Sequence, residues 1–339
     1  MYSPVTVAYL PAVIGAVISV VLNRTGFLGL LFLVPPGVIA YCYNGKTAWF
    51  CTFLVILGNG LVSLTLGVPL GYSPAVLWRD ILYMAVMTGS LTWIVLPARA
   101  EGFLFSRIPG VYRLICGSLL GALSLVPVVA SLRNSSGLYE FIRAQAEAVS
   151  ALYAASAGAD VVQRSLSEQY ITPEAVLETV SLVSLRGGMV VSCMILFVVS
   201  RQLALGITWF IRRTKPGGSI TGFHVPPWFI WALSCSLPGI LVGVKTKTAL
   251  LEIPAWNILV ICSILYLAQG GGIAIYFLSR IRRPGARFLI HLLLIIVICS
   301  PGINAVFLGA LALLGIAENW VPFRVPKTDG PSSTPGMEA

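Results

Sequence analysis

Gln269 stands before three consecutive glycines, Gly270, Gly271 and Gly272, in the middle of an apolar run. Each glycine weakens a helix by roughly 1 kcal/mol relative to alanine. The run could therefore loosen a spanning helix and bare backbone carbonyls beside an amide, as at midplane binding sites of transporters. Tight packing against a bulky neighbour is the alternative. Asn59, between Gly58 and Gly60 in another apolar run, allows a similar pair of readings. Its amide can bridge to a neighbouring helix or to a bound solute, and polar groups in hydrocarbon are costly enough to invite a functional hypothesis. Asn257 opens the helix that carries Gln269, and Asn304 follows a Pro301-Gly302 break. Asn59, Asn257, Gln269 and Gly270–Gly272 are thus the candidate ligand-binding residues.

Other chemistry finds little support. No phosphate-binding GxxxxGK[ST] loop, HExxH, GxSxG or Ser-His-Asp set occurs. The histidines, His224 and His291, stand apart, and no two of the seven cysteines form a CxxC pair. No catalytic residue, metal site or cofactor is expected. Charged candidates are Arg79 with Asp80 at the mouth of a span, Arg186, Arg201, and Glu318 with Trp320 and Arg324 as an interface anchor. The stretch Leu203–Ile211 reads as an interfacial helix, which places Arg201 at the membrane boundary.

The elements that must hold these residues are membrane helices. Of 339 residues 57% are hydrophobic and 10% charged, and mean hydropathy is +0.91. A soluble domain carries roughly 25% charged residues, so this chain cannot coat a water-facing surface. Apolar runs of about spanning length cover residues 5–22, 26–43, 48–70, 76–96, 114–131, 187–211, 227–244, 256–279 and 288–317. Nine spans are expected, within a range of eight to ten, because 288–317 suits one kinked helix or a hairpin. The first run lacks a basic leader and a small-residue cleavage pattern, and reads as a retained span.

The net charge of +10 follows topology rather than nucleic acid. With the N-terminus inside, the cytoplasmic loops hold eleven Lys and Arg and the opposite short loops hold four. Residues 132–186 break the pattern with four arginines and six acids. Apolar residues recur there at helical spacing, Asp160 can cap a helix, and Thr172-Pro173-Glu174 supplies another start. They form an extramembrane helical excursion on the outer face. The organisation is an N-terminal bundle of five spans (1–131), this excursion, a C-terminal bundle of about four spans (187–317) and a tail (318–339) disordered from 326. Ala8, Ala12 and Ala16 make a small-residue stripe on the first span, for helix packing or partner docking.

The stretches LVPPGVIAYCYNGKTAW (33–49), FHVPPWFIWALSCSLPG (223–239), NILVICSILYLAQGGG (257–272) and LLGIAENWVPFR (313–324) together resemble the YybS-like family of bacterial membrane proteins of unknown function. Glu318 and Pro322 stand where that family has an aspartate and a second acid. The family is distantly similar to the S-components of energy-coupling-factor vitamin transporters, whose alanine stripe docks a coupling subunit. The likeness implies a small-molecule solute held between helices and partner ATPases, in a multi-pass protein of the bacterial inner membrane. The alternative is a non-catalytic scaffold or assembly factor acting through protein partners.

Overall fold

A computed structural model describes residues 4–69, 73–96, 108–133, 178–180, 182–213, 222–281 and 303–324, with a few single residues of 140–148, 285 and 300. The described residues are helical and contain no strand. Five helices are long and apolar enough to cross a bilayer, and three further apolar helices are shorter. The architecture is a polytopic transmembrane helical bundle. Most of the excursion 132–186, the start of the last run and the tail from 325 lie outside the described residues.

The chain divides into two compact units. The first, Met1–Pro216 with Glu252–Asn257, holds α1 (Pro4–Asn23), a 3-10 turn (Gly26–Leu31), α2 (Val34–Cys42), α3 (Gly45–Gly67), α4 (Pro74–Val95), α5 (Gly110–Arg133), a π-helical turn (Ser184–Gly188) and α6 (Met189–Arg212). The starts follow local chemistry. Asn44 caps α3, its Oδ1 accepting from the Thr47 N–H and hydroxyl, each at 2.8 Å. Proline opens α4 at its first position, where a missing N–H costs nothing. Residues 26–43 are not the single span expected. Pro35 and Pro36 cannot donate to a preceding turn, so a new helix begins at Val34.

Inside this unit α3 packs on α1 and α4, while α5 and α6 close on α4 and α2. The core runs through Phe32, Leu33, Met84, Met87, Leu91 and Phe197. A buried hydroxyl pair, Thr52 with Thr92 at 2.6 Å, ties α3 to α4. The stretch Leu203–Ile211 is no separate interfacial helix but the continuation of α6. Its Ala204, Leu205 and Thr208 are buried, and Ala204 packs against Gly37 of α2.

The second unit, Gly217–Leu251 with Ile258–Ala339, contains α7 (Phe229–Thr246), most of α8 (Ala249–Arg280) and α9 (Ile303–Ala317). α8 begins at Ala249, earlier than the apolar run suggested, so Asn257 lies two turns inside it. Pro254 is carried within the helix. The glycines 270–272 do not break it, and α8 continues to Arg280.

Candidate functional site

In the first unit, Asn59 is 2% exposed and belongs to a polar chain across α1, α3 and α4. Its Oδ1 accepts from Asn23 Nδ2 at 2.8 Å, and its Nδ2 donates to the Val55 carbonyl at 3.0 Å. Arg24 Nη2 donates to the Asn59 carbonyl at 3.4 Å and to Ser63 Oγ at 2.7 Å. Ser63 Oγ in turn donates to Asp80 Oδ2 at 2.7 Å. A hydroxyl that accepts and donates at once thus relays a guanidinium to a carboxylate. Gly58 makes room for Val20, since a Cβ there would sit 2.8 Å from Val20 Cγ2.

Ser63 is therefore the link between the Arg24 guanidinium and the Asp80 carboxyl. Ser63→Val is expected to destabilise the protein by about 1–3 kcal/mol, the cost of stranding a polar partner, with Ser63→Thr close to wild type. Denaturant unfolding in detergent measures this. Equal stability of the valine and threonine variants would show the relay to be idle.

In the second unit, Gln269 is likewise 2% exposed. Its Oε1 accepts from the Val225 N–H at 2.6 Å and its Nε2 donates to the Gly315 carbonyl at 3.1 Å. The amide ties the segment before α7, and α9, to α8. The glycines beside it serve a helix crossing. A Cβ on Gly270 would lie 1.8 Å from the Leu311 carbonyl oxygen, and one on Gly315 would lie 2.0 Å from that of Tyr266. Gly272 is buried, whereas a Cβ on Gly271 would meet nothing within 4 Å. The carbonyls of this run stay within a continuous helix rather than being bared at a break.

Asn257 Nδ2 donates to the carbonyls of Leu185, at 2.9 Å, and Ile253, at 2.8 Å. Beside it Arg186 pairs with Glu252. The two interactions hold the π-helical turn, whose Gly187 has φ of 126°, a conformation that favours glycine. Asn59, Asn257 and Gln269 are thus each bonded to groups of this chain. Ala12 and Ala16 are buried against Ile39, Cys51 and Val55, while the side chain of Ala8 lies outside the described residues.

The grouping around Arg113 had no sequence signal. Arg113, read as a loop charge, is buried, and its Nη1 donates to the carbonyls of Trp93, at 2.8 Å, and Leu96, at 2.6 Å. It satisfies the free C-terminal carbonyls of α4. Arg201 lies half-buried beside Tyr41 and Arg113, not at a helix end. Asp80 reaches Ser63 rather than closing on its neighbour Arg79. In the second unit Arg324 reaches Glu318, the Phe223 carbonyl and His224.

Among the described residues no three of His, Cys, Asp and Glu gather as metal ligands. Apolar helices of spanning length, carrying isolated amides and ion pairs, define an integral membrane protein. Comparison with known proteins gives the family. The chain belongs to the family described as Predicted membrane protein (DUF2232), whose model matches residues 12–316. No curated protein and no solved structure matches it.

Proposed function

We propose that this chain is a non-catalytic scaffold or assembly factor of the bacterial cytoplasmic membrane, acting through protein partners, with its N-terminus inside. The observation that carries the reading is the engagement of all three mid-helix amides, Asn59, Asn257 and Gln269, by their own chain. An amide side chain offers two donor hydrogens and one acceptor oxygen. Each makes a bond beyond its own helix, Asn59 to Asn23, Asn257 to Leu185 and Gln269 to Gly315, as interhelical glue does. Asn59 and Asn257 also donate to carbonyls of their own helices, and Gly270 brings a second backbone against the level of Gln269. The orientation rests on the excess of Lys and Arg in alternate loops.

A second reading has one observation in its favour. Arg24 is exposed and Asp80 half-buried, so a cation and a carboxylate stand together where α1, α3 and α4 end. A small polar solute could bind there in a transporter component resembling an S-component of the YybS-like kind, with a coupling subunit and ATPases as partners.

A thermal-shift screen of the purified protein against vitamins, nucleobases and metabolites separates the two. Saturation at one hundred times Kd stabilises a native state by about 2.7 kcal/mol, worth roughly 5 °C in Tm. The scaffold reading expects no such shift. A compound that raises Tm in wild type but not in Asp80→Asn would replace it with the transporter reading.

A further inference from the structure

The first unit carries a groove of about 760 Å3 between α1, α2 and α6. Its walls are almost wholly apolar, built from stripes such as Leu10, Ile14 and Ile18 on α1 facing Val38 and Ile207. Residues four apart in a helix stack along one face, which makes the stripes straight. From Leu10 to Leu22 the groove follows α1 for about 18 Å at 1.5 Å per residue. One leaflet of a hydrocarbon core is about 15 Å deep.

The lining offers hydrocarbon an apolar surface along its whole length, and charge at one end selects the occupant.

Charge is concentrated at one end. Tyr43 lines the groove there, and the Arg212 guanidinium stands 5.9 Å from the centre of its ring. Arg213 stands 5.7 Å from the Phe210 ring. Both arginines are exposed, and among the described residues neither has an ion-pair partner. Trp209 is exposed beside them, as aromatic residues are at a membrane–water interface. Basic residues at the end of a span attract anionic headgroups.

We propose that this groove is a binding site for one anionic phospholipid, with its acyl chains along α1 and α6 and its phosphate against Arg212 and Arg213. The site goes beyond the scaffold reading and does not depend on it.

The test uses the full chain, purified and delipidated in detergent, then offered equal amounts of phosphatidylglycerol and phosphatidylcholine with matched chains. Native mass spectrometry is expected to show one retained phosphatidylglycerol, at least fivefold over phosphatidylcholine. The double variant Arg212→Gln, Arg213→Gln should retain the two lipids equally. Ile14→Trp, which fills the groove from an exposed position, should lower retention of both while Tm stays near wild type. Equal retention of the two lipids by wild type would overturn the proposal. So would an intact preference in the glutamine variant, full retention by Ile14→Trp, or a dimer mass that Ile14→Trp alone removes, since a second copy would then fill the groove.

Discussion

Gly270→Ala is expected to disrupt the crossing of α8 and α9, while Gly271→Ala, one residue away, leaves it intact. At Gly270 the new methyl would lie 1.8 Å from a backbone oxygen of Leu311, and the amide nitrogen of Gly315 would be 3.2 Å away. Backbone cannot swing aside as a side chain tip can, so the helices must separate by more than an ångström. Overpacking of this kind costs about 1–3 kcal/mol, occasionally more, and loss of the Gln269 bond to the Gly315 carbonyl adds to it. At Gly271 an added Cβ meets nothing within 4 Å, and alanine improves helix propensity by up to about 1 kcal/mol. Denaturant unfolding in detergent should therefore move in opposite directions for the two variants. Hydrogen exchange should localise the loss in the first to α8 and α9. Equal stabilities would refute the crossing.

Removing the acid at position 318 should have a comparable effect by a different route. The Arg324 and Glu318 side chains are only 5% and 3% exposed. Arg324 Nε donates to Glu318 Oε1 at 2.7 Å and its Nη2 meets Oε2, so the pair is two-pronged. Nη2 also donates to the Phe223 carbonyl at 2.9 Å, bringing the segment before α7 to the end of α9. Glu318→Ala leaves a buried guanidinium without its carboxylate, a loss of about 3–5 kcal/mol. Replacing both partners by leucine should recover much of it, because no uncompensated charge remains. By contrast Arg143 and Glu147, more than 60% exposed, should tolerate Glu147→Ala with at most about 0.5 kcal/mol lost. Thermal unfolding of the three variants checks the order. A Glu318→Ala variant as stable as Glu147→Ala would sink the argument.

These two sites show how far residue pattern reaches. Glu318, Trp320 and Arg324 read from sequence as an anchor at the membrane edge, and their closeness along the chain made the pairing legible. Its engagement of Phe223, 101 positions distant, was not. The Gly270–Gly272 run was visible as unusual, but loosening and tight packing produce the same letters. Only the approach of Leu311 and Gly315 distinguishes them. Arg113 is harder still. A basic residue beginning a span obeys the loop-charge rule wherever its side chain points, and burial against the end of α4 leaves no trace in local sequence.

The membrane class and most helices follow from sequence by itself, because bilayer thickness and the scarcity of charge act on runs of neighbouring residues. The turn at Asn44 is equally local, whereas the break at Pro35-Pro36 is hidden inside the apolar run 26–43, which reads as one span. Tertiary structure alone decided which partner each polar group takes. Asn59 bonds across 36 positions and Gln269 across 44 and 46, distances at which the chain's periodicity carries no information. A polar side chain inside a bundle must find a partner, so its type announces the need. Only the packing of helices names the atom that meets it.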